Sequence, residues 1–288
     1  MEIIHKSVLL VEVIEQLAIA KGEIVYDATV GEGGHSEEIL KRIGPEGFLF
    51  GTDLDSEALS KAYERLRKIG VNFTLFHGNF KDIDSFINGK KLNKILLDLG
   101  VSSFELEMSY KGFSFMAEGP LDMRMNKSMR ITASQVLNSF TESEIADILF
   151  YYGEERLSRK IARIIAEERK KKRIESTLQL AEICAKAYPK HYNKIHPATR
   201  TFQALRIYVN DELNNLKIIL EKAPGLLSEH GRIAIISYHS LEDRIVKNAF
   251  KNDNRLQPIT KKPIAPSREE VRNNRRARSA KMRVAEKI

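Results

Sequence analysis

The residues best suited to chemistry lie in a glycine-rich turn, Asp27-Ala28-Thr29-Val30-Gly31-Glu32-Gly33-Gly34-His35. An apolar β-type run precedes the turn at residues 23–26, and a helical pattern follows it at residues 36–42. Glycines let the backbone turn sharply close to a ligand, and the following helix directs its free N–H groups there. A second run, residues 47–51, leads to Asp53, roughly 20 residues beyond the glycines, where a carboxylate meets ribose hydroxyls. These features predict a pocket for a nucleotide-type ligand.

The spacing of the glycines indicates the class of ligand. A dinucleotide site needs G-x-G-x-x-G, whereas the glycines here stand at positions 31, 33 and 34 and position 36 is Ser. Asp27, Gly31 and Gly33 instead resemble the first motif of class I methyltransferases, D-x-G-x-G-x-G, with Thr29 in place of the first glycine. That resemblance implies S-adenosylmethionine as the cofactor, and the alternative is an ordinary strand–turn–helix.

The elements that must position these residues alternate between strand and helix patterns. Asp55 is expected to cap a helix, and residues 71–76 and 95–98 are typical of strands. This order predicts an α/β fold with a doubly wound, mostly parallel sheet, whose ligand lies at the carboxyl ends of the strands. The side chains expected at that edge are Asp27, Asp53, Asn79, Phe80 and Asp98.

Strand patterns disappear after about Phe113. Helical patterns follow, including one from Thr201 to Leu227, before a turn at 229–231 and a strand at 232–237. We therefore expect a helical insertion between the fourth and fifth strands. The predicted boundaries are 1–113 and 213–288 for the cofactor-binding domain and 114–212 for the insertion, which would recognise the substrate.

The net charge of +8 is concentrated in two blocks. Residues 156–173 contain nine Lys and Arg against two acids, residues 261–288 contain ten against three, and residues 1–113 are acidic. Basic blocks are expected where a protein meets a phosphate backbone. The alternatives are a solvated helix face for the first block and a flexible basic tail for the second. The Arg-rich stretch of the tail from Pro258 is expected to be helical or to order only on binding.

Bulk composition indicates a cytoplasmic protein without a membrane span. No window reaches the ~18 consecutive apolar residues that such a span needs. The charged N-terminus is not typical of a signal peptide. Cys184 is the only cysteine, which excludes an intramolecular disulfide and fits a reducing compartment. The seven histidines show no ligand spacing with it, so we expect no metal site.

Five longer motifs are specific enough to indicate a family. They are DLGVSS (98–103), GPLDMRM (119–125), HPATRTFQALR (196–206), SYHSLEDR (237–244) and RARSAK (276–281). In this order they closely resemble the bacterial 16S ribosomal RNA (cytosine-N4)-methyltransferases, the RsmH or MraW family. The resemblance covers nearly the whole chain. It implies a class I (Rossmann-like) methyltransferase with an inserted all-helical domain that modifies a cytidine in the decoding centre of the small ribosomal subunit.

The resemblance also implies roles in cofactor binding. They are Gly33, Gly34 and His35 around the methionine end, Asp53 on the ribose, Phe80 on the adenine, and Asp98 and Glu105 completing a pocket that also contains Asp27 and Gly31. The family commonly has Pro-Gln where this chain has Phe104-Glu105. An alternative for His35 is that it is simply the first-turn residue of a helix.

Catalysis on cytosine N4 requires the enzyme to orient the weakly nucleophilic amine and to accept hydrogen bonds from its N–H groups. DNA amino-methyltransferases use a D/N/S-P-P-Y/F/W turn after the fourth strand, where this chain has residues 98–101, without prolines or an aromatic. We expect Asp98 to accept from the amine or position the cofactor, with Ser102 and Ser103 near the base. Tyr238 and His239 could stack on or hydrogen-bond a flipped cytosine, and the alternative is that His239 caps the helix that follows it.

Several arginines are candidates for contacts with RNA phosphates. They are Arg200, Arg206, Arg244, Arg275 and Arg276, with ion pairs to Asp211, Glu212 or Asp243 as the alternative for the first three. The predicted partner is 16S ribosomal RNA in the small subunit. The rival functions are an amino-methyltransferase acting on DNA or protein, and a cofactor-sensing RNA-binding assembly factor without turnover.

Overall fold

The chain folds into two compact units. The computed structural model describes residues 7–100, 109–127, 129–189 and 195–288. One unit comprises Met1–Gly100 and Leu213–Ile288, and the other comprises Val101–Glu212. None of the helices in these described ranges is long and apolar enough to cross a membrane.

The first unit is built on a seven-stranded sheet. Its strands are β1 (Ile24–Asp27), β2 (Phe48–Asp53), β3 (Phe73–His77), β4 (Leu92–Asp98), β5 (Leu227–Ser237), β6 (Leu256–Pro258) and β7 (Lys281–Lys287). The order is β3-β2-β1-β4-β5-β7-β6. The first five strands are parallel, and β7 runs antiparallel to both β5 and β6. The predicted doubly wound, mostly parallel sheet is confirmed.

Helices cover both faces of this sheet. They are α1 (Leu10–Leu17), α2 (Gly34–Ile43), α3 (Ser56–Leu66), α9 (Glu212–Leu226), α10 (Ser240–Asn252) and α11 (Arg268–Asn273). Successive residues of β4 enter different apolar clusters, Ile95 and Leu97 in one and Leu96 in the other. This alternation is what a strand buried on both faces must show. As predicted, the Asp55 side chain caps α3 by accepting from two backbone N–H groups.

The prediction of a single helix from 201 to 227 is wrong. Two helices, α8 (Thr199–Asn210) and α9, meet at Asp211, whose φ of 51° is left-handed and ends α8. The predicted turn at 229–231 lies inside β5, where His230 has φ 60°.

The C-terminal segment is not a tail that orders on binding. It supplies β7, which lies between β5 and β6 and buries Met282 and Val284 in the core. Arg283 is also buried and donates to the carboxylate of Asp243 at 2.7 Å. The basic residues that alternate with these apolar ones obscured the period of two that marks a strand.

Helices are the regular elements of the second unit. They are α4 (Ala133–Ser139), α5 (Glu142–Gly153), α6 (Ser158–Lys171), α7 (Thr177–Ala187) and α8. Phe113 packs in their common core, so the change of pattern at Phe113 falls inside this unit instead of at its border. Cys184 is buried in the same core, which raises the pKa of its thiol to about 12 and makes it unreactive.

Candidate active site

Polar side chains stand at the carboxyl ends of four parallel strands. β1, β2 and β4 end in Asp27, Asp53 and Asp98, and β5 ends at Ser237, just before Tyr238. Because these strands are neighbours in the order β2-β1-β4-β5, their carboxyl ends meet at one edge of the sheet. The three carboxylates predicted for this edge are therefore brought together.

The glycine turn combines close packing with open space. Gly31 and Gly33 have φ of 53° and 83°, in the left-handed region that favours glycine. A Cβ on Gly33 would lie 3.2 Å from the Cβ of Ala62, so this glycine lets α2 pack against α3. A Cβ on Gly31 would meet no atom within 4 Å. The turn is therefore open at Gly31, where a ligand can approach the backbone.

Asp53 ties this turn to β2. One carboxylate oxygen accepts the Gly31 N–H at 2.8 Å, and the other accepts the Asp55 N–H at 2.9 Å. Burial raises the pKa of this carboxyl above its ordinary value. Because each carboxylate oxygen can accept two hydrogen bonds, the carboxylate retains capacity for a ribose hydroxyl.

Asp27 is enclosed within the turn itself. It is 1% exposed and accepts from the Ser36 hydroxyl at 2.6 Å and from the Thr29 N–H at 3.2 Å. Burial raises its pKa. These contacts hold the start of α2 against the end of β1, so Asp27 shapes the turn from within.

Asp98 stands at the end of β4 and is held by hydrogen bonds. Its Oδ1 accepts from the Tyr238 hydroxyl at 2.7 Å, and its backbone N–H donates to the Thr29 hydroxyl at 2.6 Å. The side chain keeps 21% of its surface exposed. Burial nevertheless raises its pKa to about 6, against the hydrogen bond from Tyr238, which lowers it. Asp98 is therefore a partly accessible, fixed acceptor.

His35 lies close to Asp98. Its Nε2 is 2.9 Å from the Val8 carbonyl, which can only accept, so this nitrogen carries a proton. Its Nδ1 is 3.9 Å from Asp98 Oδ2. Burial lowers the pKa of the imidazole, which disfavours its charged form. As first-turn residue of α2, His35 also links the turn to the N-terminal segment.

His239 caps α10, which is one of the two roles considered for it. Its Nδ1 accepts the Glu242 N–H at 3.3 Å, and the Glu242 carboxylate accepts from the Tyr238 and His239 N–H groups in return. Only 9% of the His239 side chain is exposed. Contact with a flipped base therefore stays a prediction for His239.

Phe80 follows β3, as expected, and opens a short 3₁₀ helix at Phe80–Ser85. The ring is half-buried against the apolar cluster on one face of the sheet. Ser102, Ser103 and Glu105 lie outside the described residues.

Two of the predicted phosphate-binding arginines belong to the helical unit. Arg206 donates twice to the Glu212 carboxylate, at 2.8 and 2.7 Å, which is the ion pair considered as the alternative. Arg200 donates to the Glu154 carbonyl at 2.9 Å. Arg206 would therefore have to exchange a carboxylate for a phosphate.

The other three belong to the sheet unit. Arg244 is exposed on α10, and the adjacent Asp243 bonds Arg283. Arg275 is exposed and Arg276 half-buried on a 3₁₀ helix at Arg275–Ser279. Their contact with RNA stays a prediction.

Sequence reasoning missed the contacts that fix the carboxylates. It did not predict that the Tyr238 hydroxyl donates to Asp98, which is 140 positions away. Ser36 was recognised only as a departure from the dinucleotide pattern, yet it anchors Asp27. A polar residue opposite a motif carboxylate carries no local signal, because the pairing depends on the tertiary fold.

This strand order, with a glycine turn after β1 and carboxylates at the ends of β1, β2 and β4, defines a class I methyltransferase. Within that class, the chain belongs to the MraW methylase family, which it matches over residues 2–288.

Its relatives extend over almost the whole chain. It is 50% identical to the "Ribosomal RNA small subunit methyltransferase H" of Dictyoglomus turgidum, over 99% of this chain and 98% of the relative. It is 51% identical to the protein of the same name from Dictyoglomus thermophilum, over 99% and 97%. A solved rRNA methylase from Streptococcus thermophilus aligns over 98% of each chain at 13% identity, with a TM-score of 0.46.

Proposed function

We propose that this methyltransferase transfers a methyl group from S-adenosylmethionine to N4 of a cytidine in the decoding region of small-subunit 16S ribosomal RNA, in the cytoplasm. Membership of the MraW methylase family and the name shared by its relatives support the rRNA substrate. The observation that carries the chemistry is Asp98, a fixed acceptor at the carboxyl end of β4.

The residues at the sheet edge fit the cofactor. The turn is open at Gly31, and Asp53 retains acceptor capacity for ribose hydroxyls. Phe80 offers an aromatic face for adenine after β3, and Asp27 holds the turn in shape. The remaining cofactor assignments are Gly33, Gly34, His35 and Glu105. When bound, S-adenosylmethionine supplies an electrophilic methyl group on a sulfonium centre.

Asp98 prepares the nucleophile. The cytosine N4 lone pair is delocalised into the ring, and an acceptor for the N–H group restores electron density to nitrogen. With a pKa of about 6, the carboxyl is mostly ionised at neutral pH and can accept that hydrogen bond. The hydrogen bond from the Tyr238 hydroxyl orients the carboxylate. The hydrogen bond from the Asp98 backbone N–H to the Thr29 hydroxyl fixes the end of β4. Ser102, Ser103 and His239 are assigned to the side of the target base.

The helical unit and the basic C-terminal segment would hold the RNA. Phosphate contacts are assigned to Arg200, Arg206, Arg244, Arg275 and Arg276, in keeping with the two basic blocks of the sequence. Alanine at an arginine that contacts a phosphate weakens binding and flattens its salt dependence. Unchanged salt slopes would remove that residue from the assignment.

The test is incubation of the protein with methyl-labelled S-adenosylmethionine and unmethylated small ribosomal subunits, followed by digestion of the RNA to nucleosides. We expect label in N4-methylcytidine. Asp98→Asn should remove the label, and the exposed Asp84→Asn serves as the matched control. Label only in added DNA or protein would overturn the RNA substrate. Cofactor binding without any transfer would favour an assembly factor.

A further inference from the structure

Two large aromatic side chains are exposed side by side in the helical unit. Phe150 and Tyr151, in the last turn of α5, are 54% and 65% exposed. Their ring centroids are 5.2 Å apart in an edge-to-face arrangement. Because the exposure of adjacent large apolar surfaces is costly in a soluble protein, such a pair usually marks a binding surface.

Arginines surround this end of α5. Arg156 and Arg159, in the following turn and the start of α6, are exposed, and neither has a carboxylate partner within the described ranges. Arg200 donates to the Glu154 carbonyl at 2.9 Å, which holds its guanidinium at the same end of the helix. Within residues 147–159, the exposed carboxylates are Asp147 and Glu154, one fewer than these three arginines. The surface therefore combines aromatic faces with positive charge.

We propose that Phe150, Tyr151, Arg156, Arg159 and Arg200 form a stacking surface for a single-stranded segment of the RNA substrate. This inference rests on the proposed function and assigns a particular RNA-binding surface within the helical unit. Unpaired bases stack on exposed aromatic rings, while guanidinium groups beside the rings meet the phosphates that link those bases. No base-specific acceptor set is required, so binding here would tolerate different sequences.

Charge disfavours a second copy of this chain as the occupant. A symmetric contact through this surface would place the same patch of each copy against the other. The arginines of one copy would then face those of its partner, and like charges repel. An RNA strand supplies the opposite charge together with planar bases.

The first measurement is the affinity of the full chain for a fluorescein-labelled, unstructured 12-nucleotide RNA, followed by anisotropy. The double variant Phe150→Ala, Tyr151→Ala should bind at least about 10-fold more weakly, because the loss of a single stacked base already has an effect of about that size. The exchange Phe150→Tyr, Tyr151→Phe keeps both rings and should retain affinity. Tyr63→Ala is the matched control, since Tyr63 is 52% exposed on α3 of the other unit.

The salt dependence of RNA affinity distinguishes the contribution of the two rings from that of the arginines. The double alanine variant should keep the wild-type slope of log Kd against log salt, because no charge has changed. Arg156→Ala with Arg159→Ala should lower the magnitude of that slope by about 1.4, the value for two phosphate contacts on a single strand. S-adenosylmethionine affinity and circular dichroism should match wild type in every variant.

Wild-type RNA affinity in the double alanine variant would overturn the stacking surface. If the wild type is in addition a dimer that dissociates in this variant, the aromatic pair is a contact between copies. The subunit methylation assay, run in parallel, keeps the proposals distinct. If wild type forms N4-methylcytidine and the double alanine variant keeps wild-type RNA affinity, only the stacking surface fails. If wild type forms no N4-methylcytidine, the proposed function fails, while the oligonucleotide assay still tests the surface.

Discussion

Replacing Asp98 by Asn should stabilise the protein while abolishing methyl transfer. The ordinary pKa of an aspartate is 3.8, and burial raises that of Asp98 to about 6. A carboxyl whose pKa is higher in the folded than in the unfolded state makes folding less favourable once it ionises. The penalty is absent below the unfolded pKa, grows as the pH rises from about 4 to 6, and is complete above that range.

The size of the effect follows from the shift in pKa. A difference of about two units corresponds to about 3 kcal/mol at pH 8. Since 21% of the side chain is exposed, solvent screens part of the charge, and we expect about 2 kcal/mol. Asn is neutral and nearly isosteric, and its amide oxygen can still accept from the Tyr238 hydroxyl. The gain should therefore appear without a compensating loss of packing.

The assay is thermal unfolding of wild type and Asp98→Asn at pH 8 and pH 4. A gain of about 2 kcal/mol raises the midpoint by about 4–8 °C in a domain of this size, and near pH 4 the advantage should fall below about 1 kcal/mol. Asp84→Asn, at an exposed carboxylate of the same unit, should change little at either pH. An Asp98→Asn protein that is equally stable to wild type at pH 8, or less stable, would refute a charge penalty at this position.

Three further changes test other parts of the site. Tyr238→Phe removes a hydrogen bond that lowers the pKa of Asp98, so the acid limb of the pH dependence of kcat/KM should move above about pH 6; superimposed profiles would contradict this. Gly33→Ala forces a left-handed φ of 83° on alanine and crowds α3, so unfolding should become easier by about 1–2 kcal/mol in urea titrations, and a neutral result would contradict it. Asp53→Asn should weaken S-adenosylmethionine binding about 10-fold or more in calorimetry, with Asp84→Asn as control, because a charged acceptor is lost; equal affinities would remove Asp53 from the ribose site.

The sequence predicted strands β1 to β4 well because the patterns that mark them lie within short stretches of the chain. Strand, turn and helix patterns follow one another within short windows around Asp27, Asp53 and Asp98, and each strand ends where its carboxylate stands. The rest of the sheet depends on distant partners. β7 pairs with β5 on one side and with β6 on the other, and the residues next to it in the sequence do not indicate that pairing. The interruption at Asp211 similarly needs a backbone angle that the helical pattern does not contain.

The candidate site shows the same division between local and distant signals, and this division is why we assign the chemistry to one carboxylate. In the sequence, Asp27, Asp53 and Asp98 share the same local setting, because each follows an apolar strand. The fold encloses the first behind Ser36 and ties both oxygens of the second to backbone N–H groups. The third, Asp98, accepts a hydrogen bond from Tyr238 and is partly exposed. Its pKa of about 6 leaves it mostly ionised at neutral pH, as an acceptor for an N–H group must be.

That third environment is unfavourable for folding, because an ionised carboxylate has been partly removed from water. A purely structural aspartate would gain nothing from it, whereas an acceptor for an amine gains strength from lowered competition by solvent. The stability lost at Asp98 and the proposed hydrogen bond to N4 are therefore two consequences of the same burial. A variant that relieves the first should eliminate the second.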